Sequence, residues 1–179
     1  MDSNQYFLNF QTKLVKSKPY RYFWQFWSNY AFVFFVVGAL CFWLKDDLQE
    51  LRLQVVTLVI VSFVIARGIM VTMINLIYKK LRPYQQYNFT PITSRFFSFQ
   101  TKTPNSFPSR HTTAYFSVAT VVLWFFPLMG SGLMLVSVLA GFARVVLGYH
   151  WPSDIAVGAL LGLVIGCCTV LTGQVLFFT

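Results

Sequence analysis

Residues 55–78 read VVTLVIVSFVIARGIMVTMINLIY, an apolar run with one charged side chain, Arg67, closed by Lys79 and Lys80. A helix of this length rises about 36 Å at 1.5 Å per residue, enough to cross a hydrocarbon core of about 30 Å with some tilt. Similar runs lie on either side, at about Asn29–Leu44, Thr112–Leu128, Leu133–Tyr149 and Ile155–Phe178. The chain as a whole is 56% hydrophobic and 11% charged, whereas soluble domains carry about a quarter charged residues. These features predict an all-α integral membrane helical bundle with about five transmembrane helices. The runs lie close together and show no internal repeat, so residues 1–179 read as a single membrane-embedded domain.

The stretches between the runs add detail. Tyr6, Phe7, Phe10, Leu14 and Val15 fall at helical spacing, so residues 1–20 read as an interfacial amphipathic segment that ends at Pro19. Tyr20, Tyr22, Phe23, Trp24 and Trp27 then form an aromatic belt at a membrane surface. Residues 83–108 form a long polar and aromatic connector, and Gly130-Ser131-Gly132 reads as a tight turn. Gly158, Gly162 and Gly166 recur every fourth residue, which lets the last helix approach a neighbour closely. Cys41, Cys167 and Cys168 lie in apolar runs and read as small hydrophobes. Residues 2–11 are polar and aromatic, unlike a cleaved signal peptide. An intramembrane arginine such as Arg67 raises a functional question. Its distance of roughly 20 Å along a helix from Arg82 favours a residue that snorkels or faces a wet crevice.

Groups able to do chemistry are scarce. The only two histidines, His111 and His150, lie at the mouths of apolar runs, and Asp154 is the one carboxylate after Glu50. Five spans place the end of the second, the start of the third and the end of the fourth on one membrane face. That arrangement brings together Arg82, His111, Arg144, His150 and Asp154. A carboxylate four residues from a histidine can fix its tautomer, leaving the other ring nitrogen as base or nucleophile. A helix start after Ser109 offers free N–H groups to an anion, and arginine forks suit phosphate oxygens. Taken singly, each residue has an ordinary reading, such as an N-cap for Asp154. Gathered at one face, they describe phosphoryl transfer through a phosphohistidine, since a two-metal site needs several carboxylates. The net charge of +9 is scattered over loop ends, which fits anionic headgroups and phosphates and excludes a nucleic-acid-binding design.

Leu81-Arg82-Pro83, Pro108-Ser109-Arg110-His111 and Arg144 with His150 and Asp154 resemble the signature K-x6-R-P, P-S-G-H and S-R-x5-H-x3-D. That signature marks the type-2 phosphatidic acid phosphatase superfamily. The order and both spacings of the third part match, over roughly residues 75–154. Within the superfamily the chain looks most like small bacterial undecaprenyl-diphosphate phosphatases, and its hydropathy excludes the soluble haloperoxidases. The resemblance implies that His150 is the nucleophile, oriented by Asp154, and that His111 protonates the leaving group and then activates water. It also implies that Arg82, Arg144, Ser109 and the backbone N–H of Arg110 hold the phosphoryl oxygens, with no metal and no cofactor. Three positions depart from the pattern: Asn75 stands for the lysine, Arg110 for the glycine and Ala143 for the serine. Lys79, one helical turn after Asn75, is the candidate replacement for the lost cation.

The expectation is a metal-independent lipid-phosphate phosphatase acting on undecaprenyl diphosphate in cell-wall carrier recycling. Phosphatidate or phosphatidylglycerol phosphate, a lipid phosphotransferase and an inactive lipid-binding relative remain open alternatives. The partners are a membrane lipid phosphate and the bilayer of the cell membrane. Two considerations conflict over the face. The resemblance implies a periplasmic or external site, whereas Lys13, Lys16, Lys18 and Arg21 on the same side would be called cytoplasmic by the positive-inside rule.

Overall fold

The structure is a computed structural model and describes residues 17–43, 49–87 and 105–177, together with Asn9. Most of the expected N-terminal amphipathic segment, the last residue of the expected Asn29–Leu44 run and residues 88–104 of the connector lie outside these residues. Every described element is a helix. They are α1 (Lys18–Trp43), α2 (Gln49–Phe63), a π-helical segment (Val64–Met70), α3 (Val71–Ile77), the single turn α4 (Pro83–Gln86), α5 (Arg110–Phe125), α6 (Pro127–Val146) and α7 (Pro152–Phe177).

Four helices are long and apolar enough to cross a membrane: 18–40, 53–77, 127–146 and 152–176. The outward surface agrees, because Leu76, Ile77, Leu128, Leu160 and Leu176 are all strongly exposed. Such a surface suits lipid rather than water. The chain is therefore a multi-pass membrane helical bundle. The fifth helix, α5, has 16 residues and rises only about 24 Å, shorter than a hydrocarbon core. Its neighbours supply what its length does not, since α5 packs against α2, the π segment, α6 and α7. Ten of its residues are buried. Its buried hydroxyls turn back on their own helix, with Thr113 Oγ1 donating to the Ser109 carbonyl and Thr120 Oγ1 to that of Phe116.

The glycine stripe produces the tightest part of this packing. A Cβ on Gly162 would lie 2.5 Å from the Thr113 carbonyl oxygen, and one on Gly166 would lie 2.6 Å from Thr120 Cβ. α7 therefore reaches the backbone of α5, as small residues at that spacing allow in a membrane. α1 packs on α6 through Ala31, Val136 and Ala140. Val118, Ala119, Val122 and Leu133, with Phe35 and Val59 against them, join α1, α2, α5 and α6.

Three local expectations are corrected. Pro19 does not end a helix; it occupies the first turn of α1, where its missing N–H costs nothing, so the aromatic belt sits on the first turns of that helix. Gly130-Ser131-Gly132 is not a turn, because α6 already begins at Pro127 and the reversal is made at Phe126. Gly130 serves close packing instead, since a Cβ there would lie 2.1 Å from Leu123 Cα. The run Val55–Tyr78 is not one regular α-helix, for it widens into the π segment around Arg67.

Candidate active site

Two chain segments outside the helices build the site. After α3 the backbone runs extended through Lys80 to Arg82. Lys80 N–H donates to Asn105 Oδ1 at 2.7 Å, and Ser106 N–H donates to the Lys80 carbonyl at 2.8 Å. Asn105 Nδ2 also donates to the Asn75 and Tyr78 carbonyls, so the segment before α5 is stitched to the end of α3. Residues 147–151 form a tight turn from α6 into α7, with Gly148 at φ 79° where a side chain would be strained. Trp151 Nε1 donates to the Leu81 carbonyl at 2.9 Å and ties the two segments together.

His150 sits at this junction and is buried. Its Nδ1–H donates to the Ser106 carbonyl at 2.8 Å, which assigns the tautomer. Nε2, 3.5 Å from Arg82 Nη1, is left as the ring's unprotonated nitrogen. The expectation that Asp154 orients the ring by direct contact is thereby refined. Asp154 Oδ2 is 3.7 Å from Nδ1, while the Ser106 carbonyl takes the hydrogen bond. Asp154 accepts instead from Ser106 Oγ, from the Trp151 N–H at 3.0 Å and from Lys80 Nζ at 2.7 Å. The carboxylate thus braces the carbonyl-bearing residue and the turn on both sides of the ring. Burial pushes the His150 pKa down to about 4, against the Asp154 contact that raises it and with Arg82 and Arg144 lowering it further. The ring is a neutral base at neutral pH.

A cavity of about 310 Å³ opens beside His150. Around it stand His111 and Arg110 on the first turn of α5, Arg144 at the end of α6, Arg82, and Ser28, Asn29 and Phe32 of α1. Arg82 Nη1 donates to the Tyr149 carbonyl and Nη2 to that of Asn105, both at 3.3 Å, while Nε is buried without a protein acceptor. Arg144 is similar: Nη2 donates to the Ser28 carbonyl at 3.1 Å, and Nε is buried and unpartnered. Two guanidinium groups are thus held by backbone carbonyls, each with an unsatisfied N–H in a water-poor setting. Burial is the largest cause lowering the Arg82 pKa, and the Arg144 and Arg110 charges lower it too. A phosphoryl group bound among them would satisfy both donors and relieve that repulsion.

His111, His150, Arg82, Arg110 and Arg144 thus come together around one cavity. Ser109 does not line it. Its buried hydroxyl accepts from Thr112 Oγ1 at 3.0 Å, and its N–H donates to the Asp154 carbonyl, so it packs the start of α5 onto α7. Lys79 is exposed and outside the lining, and Asn75 holds Asn105 through its backbone carbonyl. The cation that meets the carboxylate is Lys80, a residue that spacing alone did not single out. The chain leaves helical geometry at Tyr78, so counting a helical turn from Asn75 onto Lys79 fails one residue before Lys79. Arg67 and Tyr115 were also missed as lining residues. Arg67 is distant from Arg82 along the chain, but the extended segment after α3 brings Arg82 to the cavity that Arg67 of the π segment also lines.

The chain is 30% identical over 138 residues to the bacitracin transport permease protein BcrC of Bacillus licheniformis, covering 77% of this chain and 64% of that protein. It is 27% identical over 141 residues to the undecaprenyl-diphosphatase BcrC of Bacillus subtilis, covering 79% and 68%. The fold resembles the crystal structure of Aquifex aeolicus LpxE, with a TM-score of 0.55 and 21% identity over 94% of this chain and 85% of that one. Residues 56–177, which hold the π segment, both histidines and the glycine stripe, match the PAP2 superfamily, and the chain belongs to it.

Proposed function

We propose that the protein is a lipid-phosphate phosphatase that works through a phosphohistidine on His150, with undecaprenyl diphosphate as its substrate. The observation that carries this reading is the locked tautomer of His150 beside two arginines, each with an orphaned buried N–H. The name of the B. subtilis relative supports the choice of lipid. Nε2 attacks the terminal phosphorus as the bond from phosphorus to the bridging oxygen breaks, and His111 gives that oxygen its proton. His111 is protonated with the incoming diphosphate, whose charge offsets the burial and the Arg144 and Arg67 charges that lower the His111 pKa. The lipid monophosphate leaves. His111, now neutral, takes a proton from water, whose oxygen attacks the phosphorus and breaks the bond to Nε2. Inorganic phosphate is released and both histidines return to their starting state. Arg82, Arg144 and the free N–H groups at the start of α5 hold the equatorial oxygens as negative charge builds on them. Phe32 and Phe63 offer the lipid chain an apolar side of the same cavity.

The site faces the cell exterior in this proposal, where a carrier lipid is left after delivering its cargo. The test is phosphate release by the detergent-solubilised protein from undecaprenyl diphosphate, phosphatidate and phosphatidylglycerol phosphate, with chelator present. Release that resists chelator, is fastest on the first lipid and falls by roughly a thousandfold or more in His150→Ala is the expected result. Absence of release from every lipid by folded, monodisperse protein would remove the phosphatase reading and favour an inactive lipid-binding relative.

A further inference from the structure

Arg67 lies in the middle of the π segment, inside a membrane span, and its side chain lines the cavity beside Phe63, Tyr115 and Arg110. π-helical turns recur at functional sites because the widened turn re-aims a side chain. The charge of Arg67 acts on Arg110, Arg144 and His111, which places it among the groups of the site rather than at a bilayer edge. Among the described residues no carboxylate pairs with Arg67 or lines the cavity, since Asp154 is turned toward Lys80. An uncompensated intramembrane arginine is expensive, and a ligand anion is the remaining way to balance it.

Counting charges gives the ligand. One phosphoryl group carries about −1.5 to −2 charge at neutral pH. Arg82 and Arg144, with the α5 amides, already match that at the His150 end. Arg67 and Arg110 are two further cations in the same cavity. With a volume of about 310 Å³, the cavity reaches the size of a small-ligand pocket, roughly 300 Å³ and upward. We infer that Arg67, with Arg110 beside it, forms a second phosphate subsite that holds the inner phosphate of a lipid diphosphate while the outer one meets His150. This rests on the phosphatase reading and assigns its specificity for diphosphate over monophosphate. Arg67 keeps its grip on the lipid monophosphate as the outer group leaves, which makes it a substrate-binding residue and not a nucleophile or proton donor.

The experiment compares wild type with Arg67→Met and Arg67→Lys on a polyprenyl diphosphate and the matching polyprenyl monophosphate. Binding of methylenediphosphonate and methylphosphonate is measured alongside by calorimetry. Loss of one charge-assisted contact is expected to lower kcat/KM on the diphosphate roughly 10- to 100-fold in Arg67→Met, mainly through KM. On the monophosphate the change stays within about threefold, and Arg67→Lys recovers part of the loss. Methylenediphosphonate affinity falls with the diphosphate activity, while methylphosphonate affinity does not. Equal losses on both lipids, or no loss on either, overturn the subsite. If wild type releases no phosphate from either lipid, the phosphatase reading fails. The two phosphonates then decide the subsite alone, and equal effects of Arg67→Met on both would overturn it.

Discussion

Lys80 reaches Asp154 at 2.7 Å and lies over the rings of Phe107 and Trp151. It touches no cavity surface, so its contribution is to hold the carboxylate that braces Ser106 and the Trp151 turn, and through them His150. Lys80→Met should lower kcat about 10- to 100-fold, as removal of outer-shell partners does in other sites, with KM changed less than about threefold. Lys80→Arg should restore most of it, and Lys79→Met should leave kcat/KM within about twofold, because Lys79 is exposed. A second outcome follows from the His150 pKa of about 4. A base with a depressed pKa stays neutral above that value and is lost only as the pH falls through it. The acidic limb of the kcat/KM profile should therefore fall near pH 4 and not near 6.5, the ordinary value for histidine. Loss of the His111 proton, which burial and the Arg144 charge make easier, sets the alkaline limb. A pH–rate profile on a substrate whose own titration is measured separately checks this. An acidic limb centred near 6.5 would show that His150 is more solvated than its burial indicates.

At the scale of elements, the membrane-facing helices were the easiest to read, because runs such as Leu133–Tyr149 and Ile155–Phe178 leave no alternative in a chain with 11% charged residues. Their ends were harder. Pro19 and Gly130 each read as breakers from local chemistry, yet Pro19 fits a helix start and Gly130 fits against Leu123. Propensity gives way to packing at such positions. The π segment was not legible, since the residues of Val64–Met70 carry no preference that separates them from the α-helical run on either side. The glycine stripe was legible because small residues every fourth position have one main use between membrane helices. Its value is testable: Gly162→Ala would put a Cβ 2.5 Å from the Thr113 carbonyl. That overlap should destabilise the bundle by about 1–3 kcal/mol, read as a lowered Tm in detergent. Gly132→Ala, with nothing within 4 Å of the added carbon, should leave Tm unchanged or slightly raised.

At the scale of the whole molecule, one fact organises the function. The ends of α3 and α6 and the starts of α5 and α7 meet on the same face, and every histidine and charged residue of the site comes from one of those ends or from the π segment. That convergence followed from counting spans, so His111, His150, Arg82 and Arg144 could be named before any coordinates. What counting could not supply was which side chain turns inward once a helix has ended, and for this reason Lys79 was chosen and Lys80 passed over. The same topology makes sidedness a property of the whole chain. A cysteine at exposed Gln86, in a background without the three native cysteines, should react with a membrane-impermeant thiol reagent added to intact cells if the site faces outward. Reaction only after the membrane is opened would place the site on the cytoplasmic face, as the N-terminal lysines by themselves suggest.

The central claim is that Nε2 of His150 becomes covalently bonded to phosphorus. Its most direct test is rapid acid-free quenching during turnover of lipid diphosphate labelled on the terminal phosphate, followed by peptide mass spectrometry. The account predicts a phosphoryl adduct on His150 that is labile to acid and stable to alkali, forms as fast as the lipid monophosphate leaves, and is absent from His150→Gln. It also predicts that slowing the water step with His111→Ala does not move the adduct to another residue. Turnover at the full rate with no adduct, or an adduct on any other side chain, would contradict it.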